Sequence, residues 1–112
     1  MTSQGSPYAR LRRAILTGNL TTIDAAAREV PAVPLKDALA IVVLLARRRD
    51  RRYGHAAARW AARAVIEERL DLDTARRLLA LLDELPNTPG LEVALERYVE
   101  PRRSRADVAA PT

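Results

Sequence analysis

Between Ala38 and Ala46 the chain runs nine residues without a polar side chain, ALAIVVLLA, and that run decides most of what the sequence can become. A helix turns once in about 3.6 residues, so a segment apolar over more than two turns has no face suited to water and must be surrounded by other helices. The β-branched Ile41, Val42 and Val43 admit a strand as the rival reading. The flanks decide against it: Asp37 to Leu39 and Ala46 to Arg49 are helix formers, no second β-rich run exists to pair with, and turn signals are absent. The run is also far short of the roughly 18 to 20 apolar residues that cross a bilayer. We therefore expect a central helix 3 that opens after Pro34, whose fixed φ suits a first helical turn.

Proline, glycine and capping residues divide the remainder into further helices. Helix 1 starts near Tyr8, carries Leu11, Ala14 and Ile15 on a narrow stripe, and stops at Gly18 and Asn19. Helix 2 covers Leu20 to Val30, capped by Thr21 or Thr22, with Leu20, Ile23, Ala27 and Val30 inward. Helix 4 runs from Asp50 or Arg51 to Arg69 with Tyr53, Ala57, Trp60, Ala61, Ala64 and Val65 inward; alternatively helix 3 continues to Tyr53 and Gly54 ends it. Helix 5 is capped by Asp71 or Asp73 and turns Ala75, Leu78, Leu79, Leu82 and Leu85 inward up to Pro86. Thr88 as cap and Pro89 in the first turn open helix 6, which reaches Tyr98.

The fold implied is all-α, a compact bundle of five to six short helices in antiparallel hairpins, with helix 3 packed on helices 4 and 5 and Trp60 buried. Helices 1 and 2 are too short to repeat the Leu35–Leu70 hairpin, so no repeat array is expected. One domain spans residues 8–100, between a mobile N-terminus over residues 1–7 and a disordered basic tail over residues 101–112. With no Cys there is neither a disulfide framework nor a thiolate metal site, and the N-terminus lacks the pattern of a secretory signal. A cytoplasmic protein without a membrane role is expected. Helix 3 carries more apolar surface than a small bundle covers easily, so a homodimer through helix 3 or the outer side of helix 1 is a further expectation.

Nineteen basic against fourteen acidic residues give a net charge of +5, and every basic residue but Lys36 is Arg. Such a balance favours an anionic partner, although an Ala- and Arg-rich composition also follows from a GC-rich genome with no function attached. The sharpest local feature is the joint Arg47-Arg48-Arg49-Asp50-Arg51-Arg52, five Arg in six residues. Arg47 to Arg49 suit the negative end of helix 3; Arg51 and Arg52 would oppose the positive end of helix 4 if Asp50 caps it. An anion relieves that crowding: a phosphate, an acidic partner, or Glu29, Glu67 or Glu68 of the same chain. The bland reading, a solvated or internally paired charge run, is the commoner fate of such stretches. His55, Arg59, Arg63 and Glu67 add a ladder at helical spacing on the outside of helix 4, where Arg63 and Glu67 can pair.

Catalytic chemistry finds little material. His55 is the single imidazole, and Ser occurs only at Ser3, Ser6 and Ser104, so no catalytic residues are assigned. A lone His does not make a metal site, the paired carboxylates sit where helix caps belong, and no Gly-rich phosphate loop exists, so no metal or cofactor is expected. The segments RYGHAAARW (Arg52 to Trp60) and LLALLDELP (Leu78 to Pro86) resemble those of short all-helical proteins of high-GC bacteria. The likeness covers Leu11 to Pro86 and rests on Tyr53, Ala57, Arg59 and Trp60 with the leucine-rich helix behind them. That family implies a helical fold and brings no activity to carry over, and its members tend to be acidic at the joint where this chain has Arg48 to Arg51. The functional expectation is a non-enzymatic adaptor that presents Arg48, Arg49, Arg51, Arg52, His55, Arg59 and Arg63 to another protein or anionic macromolecule. The alternative is nucleic-acid binding, with the Arg47–Arg52 joint and helix 4 on phosphates and Arg102, Arg103 and Arg105 adding affinity.

Overall fold

The computed structural model describes residues 6–99, all-helical with no strand among them. Expectations for residues 1–5 and for the tail beyond residue 99 lie outside the described residues. Six helices follow in order: α1 (Pro7–Thr17), α2 (Leu20–Arg28), α3 (Leu35–Arg47), α4 (Tyr53–Glu67), α5 (Leu72–Glu84) and α6 (Leu91–Glu96), the last running into a 3-10 turn over Arg97–Val99.

Local chemistry sets each start. Ser6 caps α1, its Oγ accepting from the Ala9 N–H at 3.0 Å, and Pro7 takes the first helical position, so order begins before Tyr8. Asn19, not Thr21 or Thr22, caps α2 through the Thr22 N–H at 3.1 Å. α2 ends at Arg28, because the Glu29 and Val30 N–H groups turn back tightly to the carbonyls of Ala26 and Ala27. Pro34 stands at the cap of α3 and Leu35 is its first helical residue. Asp71 caps α5 through the Thr74 N–H at 2.7 Å, while Asp73 lies within the first turn. α6 begins later than Thr88 and Pro89 suggest. Those residues belong to a turn that Gly90 closes at φ 92°, a left-handed angle that glycine adopts without strain.

Two apolar clusters share α3 as a common wall. The larger joins Leu39, Val42 and Val43 of α3 to Ala57, Trp60 and Ala64 of α4, Leu78 and Leu82 of α5, Leu95 of α6 and Val99. The smaller packs Leu11 and Ala14 of α1 with Ile23 of α2 against Ile41 and Leu44 on the other flank of α3. Each fully buried Leu or Ile contributes about 1.5 to 3 kcal/mol by leaving water. No residue between Asp37 and Ala46 is exposed, so most of helix 3 is covered within the chain, with Ala38, Ala40, Ile41 and Leu44 only half-buried. Trp60 is 2% exposed, and its Nε1 donates to the Leu35 carbonyl at 3.0 Å, tying α4 to the start of α3. Leu79, expected inward, is 52% exposed: it sits roughly 100° round the helix from Leu78, outside the arc that Leu78, Leu82 and Leu85 already fill.

Candidate interaction surface

The arginine joint is a helix stop made without glycine. Arg48 ends α3, Arg49 takes φ 48°, and the N–H groups of Arg49 and Asp50 donate to the carbonyls of Ala46 (3.1 Å) and Leu45 (3.0 Å). This paired return of two N–H groups satisfies carbonyls that a helix end leaves open. Both sequence-based boundaries are corrected by it. α4 does not begin at Asp50 or Arg51, and Gly54 does not end a prolonged helix 3 but lies inside the first turn of α4. Asp50 instead braces the turn, accepting from the Arg52 backbone N–H at 2.8 Å and from Arg52 Nε at 3.0 Å. Those bonds, the side-chain one foremost, hold its carboxyl below the usual carboxylate range.

From this turn the guanidinium groups splay outward rather than forming one patch. Arg47 pairs with Glu92 of α6 at 2.7 Å. Arg48 donates to the Gly18 carbonyl between α1 and α2 at 2.6 Å, and a Cβ at Gly18 would stand 3.4 Å from that guanidinium. Arg49 reaches the α5–α6 loop, donating to Asn87 Oδ1 at 2.8 Å and to the Pro86 carbonyl at 3.3 Å. Arg52 spans Asp50 and, at 3.0 Å, Asp24 of α2. The joint thus staples both apolar clusters, and the crowded charge is largely met inside the chain. Its counter-ions are Asp24, Asp50 and Glu92, whereas Glu29 pairs with Arg10 and Glu67 with Arg63. Arg51 is exposed and has no hydrogen bond or ion pair among the described residues, although its charge helps to hold the Asp50 carboxylate ionised. Lying at the surface, these pairs add little to stability and act chiefly to orient the elements they join.

The remaining sequence-predicted residues lie on α4. His55 is exposed on the outer side and no group of three His, Cys, Asp or Glu side chains that could hold a metal ion occurs among the described residues. Arg59 and Arg63, one turn apart, do come together with something the sequence did not single out: an apolar groove of about 210 Å³ between α3 and α4. Val33, Ala38, Ile41, Val42, Ala56 and Trp60 line it. Ala38 and Ala56 present only methyl groups to it, which leaves room between the two helices. Arg63 is engaged by Glu67 at 2.9 Å, whereas Arg59 is exposed and has no carboxylate or carbonyl partner among the described residues. The available signal was Arg59 and Arg63 bracketing Trp60 at helical spacing, visible only as a solvated ladder until α3 is placed beside it.

The surface therefore combines an apolar slot, lined in part by Trp60, with two planar guanidinium forks suited to carboxylate or phosphate. No described helix is long and apolar enough to cross a membrane. No family model matches the chain, and no curated protein and no solved structure shows significant similarity to it.

Proposed function

We propose that this chain is a non-enzymatic protein-interaction module whose α3–α4 groove receives the apolar edge of an acidic amphipathic helix. The observation that carries the reading is the pairing of an apolar slot with an exposed Arg59, which has no carboxylate partner among the described residues, beside Arg63. A groove that takes a helix reads side chains spaced one turn apart. An aliphatic residue on the partner fills the slot, and an Asp or Glu one turn away meets the Arg59 guanidinium in a charge-assisted bond. The joint arginines contribute less directly, by fixing the ends of α3 and α4 that form the groove walls.

The test is fluorescence anisotropy with a labelled helical peptide of alternating Leu and Glu turns, its Lys-for-Glu counterpart, and mixed-sequence duplex and single-stranded DNA. The acidic peptide is expected to bind and the basic one not. Arg59→Glu should weaken binding at least tenfold, and Ala56→Leu, which fills the slot, should do the same while leaving the charge unchanged. A preference for DNA would overturn the reading in favour of phosphate binding. In that case log K should fall with log salt at a slope of about −4 to −5 for some five phosphates neutralised, and Arg51→Ala should flatten it by about 1.

A further inference from the structure

A second surface lies on the opposite flank of α4. Leu72, Arg76, Leu79 and Asp83 follow one another along α5 at one-turn and two-turn spacing and form a single outward stripe. All four are exposed, Leu72 at 67% and Leu79 at 52%. Leu79 and Asp83 border a groove of about 290 Å³ that continues onto α4, where Gly54 and Ala58 leave the wall low and Ala57 and Leu82 form the floor. The knob, Leu79, and the hole therefore sit side by side on one face.

The charges on the stripe state what fits there. Arg76 and Asp83 stand two turns apart, about 10 Å along the axis, too far to pair with each other. Neither has an ion-pair partner among the described residues. An antiparallel α5 from a second copy, centred between Leu79 and Ala80, places each Arg76 opposite the other copy's Asp83. It also aims each Leu79 at the facing groove. A two-fold arrangement repeats every contact, which is the condition for an interface that closes on itself. We propose that two copies of this chain pair through this α4–α5 face, α5 against α5, with Leu79 seated in the partner's groove and two reciprocal Arg76–Asp83 bridges at its edges.

Sedimentation velocity on the full chain from low to high micromolar concentration tests the pairing. A reversible dimer weakened by salt is expected. Arg76→Glu and Asp83→Arg should each raise the dimer dissociation constant about tenfold or more, because each loses two bridges and sets like charges opposite one another. Leu79→Glu should leave a monomer. The two charge-reversal variants mixed in equal amounts should pair again, since the mixed complex restores opposite charges at both edges. Misfolding cannot produce that rescue, and circular dichroism on each variant separates loss of pairing from loss of structure. A monomer at every concentration, a dimer indifferent to these substitutions, or an equal mixture that stays monomeric would overturn the proposal.

Discussion

Arg49 and Arg69 hold φ angles of 48° and 53°, in the left-handed region that residues with a Cβ enter at a cost. Each follows the end of a long helix, and in each case the next N–H reaches back into the last turn, from Asp50 to Leu45 and from Leu70 to Val65. The two positions differ in what the side chain returns. The guanidinium of Arg49 bonds the α5–α6 loop, whereas Arg69 is exposed, in the turn that leads to the Asp71 cap. Arg69→Gly should therefore stabilise the protein by about 1 kcal/mol through relief of backbone strain. Arg49→Gly, losing its hydrogen bonds along with the strain, should gain less or nothing. Urea unfolding of the two variants measures the difference directly, and a larger gain at Arg49 would show that its loop contacts count for little. The pair also explains why the helix ends were hard to place from sequence. The signal that marks such a stop is glycine, and Gly54 offered a false one five residues downstream of Arg49.

At the level of elements, α5 is closed at its C-terminal end by α4. The Tyr53 hydroxyl donates to the Leu82 carbonyl, one of the last four that the helix leaves without an N–H. Burial, with the Asp83 carboxylate adding to it, pushes the Tyr53 phenol from its ordinary 10 up to about 12. A folded-state value above the unfolded one means that the folded chain holds the proton longer. This contribution to stability is complete below pH 10 and is lost as pH rises through about 12. Tyr53→Phe should lower stability near neutrality by about 1 kcal/mol and make its alkaline fall between pH 10 and 12 shallower than in the parent. Denaturant midpoints across that range provide the check, and an unchanged alkaline slope would remove Tyr53 from the account. Helix existence and inward faces were legible here because periodicity carries them: Ala57, Trp60, Leu78 and Leu82 all lie where their spacing puts them. Leu79 was misplaced because α5 carries more apolar residues than one buried arc holds, and Leu79 lies outside the arc that Leu78, Leu82 and Leu85 fill. The joint's partners were not legible either, since Arg47–Glu92 and Arg52–Asp24 are 45 and 28 residues apart in sequence and depend on how the helices are docked.

The whole molecule measures 44 × 37 × 22 Å, a slab about two helix diameters thick. In so thin a body a single central core gives way to two clusters on either side of α3, and their sizes are unequal. The smaller holds three buried side chains, Leu11, Ala14 and Ile23, and its polar ties to the remainder are mostly exposed. They include Tyr8 to Asp37 at 2.7 Å, Arg12 to the same carboxylate at 4.0 Å, Arg48 to the Gly18 carbonyl and Arg52 to Asp24. Regions with few buried contacts and solvent-exposed tethers are the first to open. Detachment of the α1–α2 hairpin as a unit, with α3 to α5 remaining folded, is therefore the lowest-lying departure from the native state. Native-state hydrogen exchange should show α1 and α2 amides exchanging through a partial opening with weak denaturant dependence, while those of α3, α4 and α5 wait for global unfolding. Arg48→Ala should speed the first set and leave the second unchanged; one common rate for all six helices would mean that the slab unfolds as a single cooperative body. Opening of that kind uncovers Ile41 and Leu44, so the arginines of the joint act as latches on a fold that can expose its most apolar helix without dissolving it.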